Sequence, residues 1–179
     1  IVRATQPSTC HTPDMRHLNI EIKARCDDLA AVRSVLVHHD ADFVGEDHQI
    51  DTYFDVGKGR LKLREGTIEQ SLIHYHRPDQ AGPKPSTVTR CEPEAPAALK
   101  DVLTAALGVW VVVDKRREIY FIDNVKFHLD RVRGLGTFVE IEAIGTDENA
   151  DADALQAQCR RYMMLCGLSD GSLVPNSYS

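Results

Sequence analysis

Charged side chains recur in five short segments of this 179-residue chain, at every second position in four of them, and the segments sort by sign. Asn19-Ile20-Glu21-Ile22-Lys23-Ala24 and Phe138-Val139-Glu140-Ile141-Glu142-Ala143 carry most of the regularly spaced carboxylates. Leu61-Lys62-Leu63-Arg64, Asp114-Lys115-Arg116-Arg117 and Val125-Lys126-Phe127-His128-Leu129-Asp130 carry mainly cations. Glu21, Glu140, Glu142 and Asp130 would supply the oxygen ligands that hard divalent ions, Mg²⁺ or Mn²⁺, prefer. Lys23, Lys62, Arg64, Arg77, Lys115, Arg117 and Lys126 would neutralise phosphate oxygens, the arginines through paired hydrogen bonds. Any one alternating strand is ordinarily a solvated sheet face whose ion pairs contribute little. Five of them, sorted by sign, point instead to one shared face suited to a metal ion beside a polyanion.

A period of two is that of a β-strand, with charged and apolar side chains on opposite faces. Nine strand-like stretches are expected, near 18–25, 48–55, 60–65, 70–77, 86–92, 109–117, 118–123, 125–131 and 137–144, for a sheet of about eight strands. Asp123-Asn124 is a tight-turn signal, and the residues from Pro78 to Pro85 read as a loop. Asp27-Asp28 precede a helix over about 28–39, a second helix runs from Pro93–Pro96 to Gly108, and a third covers about 148–166, with Gly167 placed to cap it. The apolar sheet face needs cover, and three amphipathic helices can supply it. If the sheet closes, its charged face becomes the inside of a barrel, where each charge needs an opposite charge or a ligand.

Residues 1–14 show no periodicity and read as a tail or remnant, with Met15 a candidate natural start and 15–179 a single domain. A net charge of −6 argues against a broad nucleic-acid or anionic-membrane surface. No run reaches the roughly 18 apolar residues of a membrane span. Five cysteines without CxxC spacing fit reduced thiols in the cytoplasm. Of the remaining residues, His128 shares the face of Asp130 and reads mainly as a packing or hydrogen-bonding residue. Arg90 and Glu92 are candidates for the lumen wall, Asp51 reads as structural, and Trp110 as core.

Several segments resemble the CYTH domain, the triphosphate tunnel metalloenzymes that include class IV adenylyl cyclases and thiamine triphosphatases. They are NIEIKAR at 19–25, QIDTYFD at 49–55, GRLKLRE at 59–65, YHRPD at 75–79, VDKRREIY at 113–120 and VKFHLDRVRGLGTFVEIEA at 125–143, in family order. DTYFD and LGTFVEIE look closest to the bacterial class IV cyclase-like branch. The resemblance implies an α+β, mainly β fold: an eight-stranded antiparallel β-barrel with flanking helices, holding a triphosphate and one or two divalent ions. It implies metal-binding roles for Glu21, Glu140, Glu142 and nearby Asp130, and phosphate-binding roles for Lys23, Lys62, Arg64, Lys115 and Arg117. Arg77 stands where many members have Lys, and Lys126 often corresponds to Arg. The family's common Glu-x-Glu-x-Lys begins here with Asn19, whose amide oxygen can ligate a hard cation but supplies no charge.

The resemblance therefore leads to a metal-dependent enzyme with Lys23, Arg117 and Glu142 at the chemistry. Its substrate would be a small triphosphate, namely ATP, thiamine triphosphate or tripolyphosphate. A class IV cyclase-like activity on ATP is the first reading and a triphosphatase the second. A non-catalytic module that binds polyphosphate or nucleotide is the third, and a homodimer is also expected.

Overall fold

The computed structural model describes residues 18–76, 82–145 and 150–179, so the tail over 1–14 and Arg77 lie outside the described residues. The elements run β1 (Leu18–Arg25), α1 (Leu29–His38), β2 (Asp42–Phe54), β3 (Arg60–Glu65), β4 (Gln70–His76), β5 (Lys84–Cys91), α2 (Pro96–Leu107), β6 (Val109–Ile122), β7 (Val125–Val132), β8 (Gly136–Ile144) and α3 (Ala152–Leu165). Every strand pairs antiparallel with its neighbours in the order β1-β5-β4-β3-β2-β6-β7-β8. Because β1 bonds to both β5 and β8, the sheet closes into a barrel.

Local chemistry sets the element ends. The Asp28 carboxylate accepts the Ala31 N–H at 2.9 Å and so caps α1. Gly167, at φ +67°, reverses the chain after α3, and the Leu168 N–H donates to the Met163 carbonyl. Asp123 takes φ +51° in the two-residue turn between β6 and β7.

The main apolar core lies outside the barrel rather than within it. Ile20 and Ile22 of β1, Phe127 and Leu129 of β7, and Val139 and Ile141 of β8 pack beneath α1 and α3. Leu29, Val32 and Leu36 of α1 and Leu155, Cys159, Tyr162 and Met163 of α3 complete it. Each large apolar side chain buried there contributes roughly 1.5–3 kcal/mol. This packing fixes the wall so that the alternate, charged side chains must point into the lumen.

Three sequence expectations are corrected. The segments expected as strands 109–117 and 118–123 are one continuous strand, β6, because β2 pairs with it along nearly its whole length. The second helix does not cover the sheet: α2 has no buried residue and leaves Val102 63% exposed. It spans β5 to β6 against β2 and β3, tied there by Lys100 to Glu65 at 2.7 Å. Trp110 is not core. It is 55% exposed, with its ring edge-on to Tyr53.

Candidate active site

Residues paired across a ladder share a sheet face, so the register traces the lumen wall. On β1, Asn19, Glu21 and Lys23 pair with Ile144, Glu142 and Glu140 of β8. Glu142, Glu140 and Phe138 pair in turn with Lys126, His128 and Asp130 of β7. Asp130 faces Arg117 of β6, and Val132 faces Lys115. Lys115 and Val113 lie opposite Gln49 and Asp51 of β2, and Asp51 and Tyr53 lie opposite Arg64 and Lys62 of β3.

These positions form three layers along the barrel. At one end lie Asn19, Glu21, Glu142, Lys126 and Glu69. A cationic layer of Lys23, Lys62, Arg64, Lys115 and Arg117 follows. At the far end Tyr53, Tyr75, Val113, Val132 and Phe138 form an apolar cluster joined by Val174 and Tyr178. A cavity of about 380 Å³ is lined by Asn19, Glu21, Lys23, Lys62, Arg64, Lys115, Arg117, Lys126, Glu140 and Glu142. Arg90 and His128 also line it, whereas Glu92 points outward as an exposed side chain.

Asp130 stands apart from the cavity wall. Its two oxygens accept Arg117 Nε at 2.6 Å and Nη2 at 2.5 Å, and Tyr178 Oη adds a third bond at 2.7 Å. The same Arg117 Nη2 donates to Glu140 at 2.7 Å, and Lys23 Nζ lies 2.9 Å from the other Glu140 oxygen. Glu142 is less engaged: its Oε1 accepts Asn19 Nδ2 at 2.8 Å. The other amide atom, Asn19 Oδ1, is buried without a hydrogen-bond partner.

Asp51 is the hub of the cationic layer. Fully buried, it accepts Arg64 Nε at 2.9 Å, Lys62 Nζ at 2.9 Å and Lys115 Nζ at 2.7 Å. The alternation of Gln49, Asp51 and Tyr53 with Ile50, Thr52 and Phe54 was the signal for its inward position. Burial works against ionisation of Asp51 and Glu140, yet the cations beside each hold it well below the usual carboxylate range.

Sequence reasoning missed Glu69. It accepts Lys126 Nζ at 2.5 Å and Arg64 Nη1 at 2.7 Å, closing the carboxylate layer from the turn between β3 and β4. That turn is pinned by Asp47, whose carboxylate accepts the N–H groups of Thr67, Ile68 and Glu69 at 2.6, 2.9 and 3.0 Å. Gly66 is required there: a Cβ on it would lie 2.8 Å from both Asp47 oxygens. Turn residues have no period, so no alternation pointed to Glu69.

His128 is buried, with Nδ1 3.2 Å from Glu140 and Nε2 unpartnered. Burial and the neighbouring Arg117 push its imidazole down to about 3, so it is neutral at neutral pH. Groups held below their ordinary values take up protons on unfolding, so their stabilisation is present at neutral pH and lost on acidification. The His128 contribution fades from its ordinary 6.5 towards about 3. The Asp51 and Glu140 contributions fade only below the carboxylate range, about 4. Thermal denaturation across a pH series is therefore expected to show a midpoint falling from pH 6.5 downward. A midpoint flat to about pH 4 would count against a neutral buried His128.

Among the described residues no helix is long and apolar enough to cross a membrane. A family model for the CYTH domain matches residues 17–178. Adenylate cyclase CyaB of Aeromonas hydrophila is 28% identical over 170 residues, covering 89% of this chain and 85% of the relative. The solved PH1012 protein of Pyrococcus horikoshii superposes with a TM-score of 0.77 at 23% identity, covering 89% of this chain and 96% of its own. HpAC1 from Hippeastrum, whose structure is reported with a dominant triphosphatase activity, superposes at 0.58 with 16% identity, covering 90% and 92%. Both likenesses speak to the fold.

Proposed function

The chain belongs to the CYTH domain family, and we propose on that premise that it is a divalent-metal-dependent enzyme acting on a linear triphosphate, with cyclisation of ATP the favoured reaction. The order of the layers carries this reading. A nucleotide entering phosphate-first would bring its distal phosphates to Lys23, Lys62, Arg64, Lys115 and Arg117. Its phosphate nearest the sugar would then lie beside Glu21 and Glu142.

That order suits attack on the α-phosphorus. The ribose 3′-oxygen forms a bond to the α-phosphorus as its proton passes to solvent, the bond from that phosphorus to the bridging β-phosphate oxygen breaks, and pyrophosphate departs. Negative charge grows on the departing phosphates, where the fixed cations already point, so little reorganisation accompanies the step. Lys23 and Arg117 bind and orient the leaving group, and Asp51 holds Lys62, Arg64 and Lys115 in register.

Charge balance favours a metal. Lys23, Lys62, Arg64, Arg90, Lys115, Arg117 and Lys126 are seven cationic lining residues, whereas Glu21, Glu69, Glu140, Glu142, Asp51 and Asp130 provide six carboxylates in or beside the cavity. A triphosphate would leave this nearly balanced set with a large negative excess. Among the described residues no three His, Cys, Asp or Glu side chains form a ready-made cage. Glu21 and Glu142, register partners on adjacent strands, and the orphaned Asn19 Oδ1 are oxygen donors of the kind that would hold Mg²⁺ or Mn²⁺. When bound, such an ion would supply positive charge to the oxygens of the reacting phosphate.

Asn19→Glu is expected to tighten Mn²⁺ binding by calorimetry, because it adds charge next to Glu142. Unchanged or weaker binding would remove Asn19 from the donor set. The reaction is tested by incubating the protein with Mn²⁺ and ATP or tripolyphosphate and identifying the products. Cyclic AMP with pyrophosphate supports cyclisation, and orthophosphate release replaces it with triphosphatase chemistry. Tight binding without turnover would leave a polyphosphate-binding module.

A further inference from the structure

The segment that follows α3 returns to the barrel. Leu173 bridges to Ala24, and the Val174 N–H donates to the Lys23 carbonyl at 2.8 Å. Four residues on, Tyr178 enters the lumen. Its ring lies 5.0 Å from that of Phe138, and Lys23 Nζ stands 3.5 Å from the Tyr178 ring centroid. Lys115 Nζ is 5.7 Å from the same centroid, and the hydroxyl donates to Asp130.

The ring is thus inserted between the cationic layer and the apolar cluster. That cluster draws side chains from β2, β4, β6, β7 and β8, and Tyr53, Tyr75 and Tyr178 form its boundary with the cavity. A linear anion entering past Asn19 and Glu142 meets, beyond the cations, the apolar side chains of Tyr53, Val113, Val132 and Phe138. From Asn19 to Lys23 the strand rises roughly 13 Å, so the distance from the carboxylate layer to the ring is fixed and short.

We infer that Tyr178 is the end-stop of the lumen and sets the length of phosphate chain that it accepts, an inference that rests on the end-on binding proposed above. The aromatic face presents no donor to a phosphate oxygen, and the hydroxyl is already committed to Asp130. A terminal phosphate therefore halts at Lys23 and Lys115, in contact with the two ammonium groups that the ring flanks. One phosphate more would have to displace the ring or push the chain's other end out past the carboxylates.

The test is calorimetric binding of pyrophosphate, tripolyphosphate and tetrapolyphosphate, each with Mg²⁺, to the wild-type chain and to Tyr178→Ala, Tyr178→Leu and Tyr178→Phe. Wild type is expected to prefer three phosphates over four by about tenfold or more, the scale on which a close-fitting pocket discriminates. Tyr178→Ala, or Tyr178→Leu if the alanine variant does not fold, is expected to bring the two within about threefold. Tyr178→Phe keeps the ring and is expected to keep the preference, which separates an end-stop from a role exerted through Asp130. A preference unchanged in both shortened variants overturns the end-stop, as does a wild type that binds three and four phosphates equally, while phosphate binding in the lumen stands. A wild type that binds none of the three overturns the end-on reading and the end-stop with it.

Discussion

Asp51→Asn is expected to lower the thermal midpoint by roughly 10 °C. The carboxylate is fully buried and shared by Arg64, Lys62 and Lys115. Removing one partner of a buried ion pair typically costs about 3–5 kcal/mol, because the remaining charge is left in a medium that solvates it poorly. Here three cations lose their common anion at once. Asparagine matches the shape, so the loss isolates charge rather than volume.

The same variant carries a functional corollary. Its unsatisfied cations favour an external anion, so tripolyphosphate should raise its midpoint by more than it raises that of wild type. Circular dichroism melts with and without tripolyphosphate measure both effects. A midpoint within about 2 °C of wild type would mean that the cations are solvated or re-paired without Asp51.

Glu142→Gln is expected to have the opposite profile, with activity lost and the fold retained. Glu142 faces the cavity, and the contact its carboxylate makes is with the neutral Asn19 amide. Glutamine preserves the length and an acceptor oxygen, so the midpoint should move little; one such hydrogen bond contributes only about 1 kcal/mol. If Glu142 helps to hold the divalent ion beside the reacting phosphate, kcat/KM should fall by about 10²–10³-fold, the scale for losing one preorganised charge-stabilising group. Mn²⁺ affinity measured by calorimetry should fall with it. Activity within about twofold of wild type would take Glu142 out of the mechanism and shift attention to Glu21 and Glu69.

The two variants separate the parts of the lumen. The deep layer is a network in which each carboxylate already answers a cation, so substitutions there act first on stability. Around Glu142 the carboxylate's contact is with the neutral Asn19 amide, so substitutions there act first on chemistry. This division also explains why Asp130, which the resemblance places among the metal-binding carboxylates, sits behind the wall: both its oxygens are occupied by Arg117, and Tyr178 adds to one of them.

Alternation by itself determined which side chains of β1, β3, β7 and β8 share a face, because side-chain direction along a strand is a local property of the backbone. The order of the charged motifs determined the family, and with it the closed eight-stranded barrel. Tertiary structure alone decided what depends on contacts remote in sequence. Asn19 meets Glu142 across 123 positions, and Lys126 meets Glu69 across 57. It also turned Trp110 outward and left α2 without a buried face, although both looked apolar enough for the core. Glu69 and Tyr178 lie in a turn and in an irregular segment, where no period announces direction. Their places in the lumen follow from hydrogen bonds and packing that exist only once the barrel has closed.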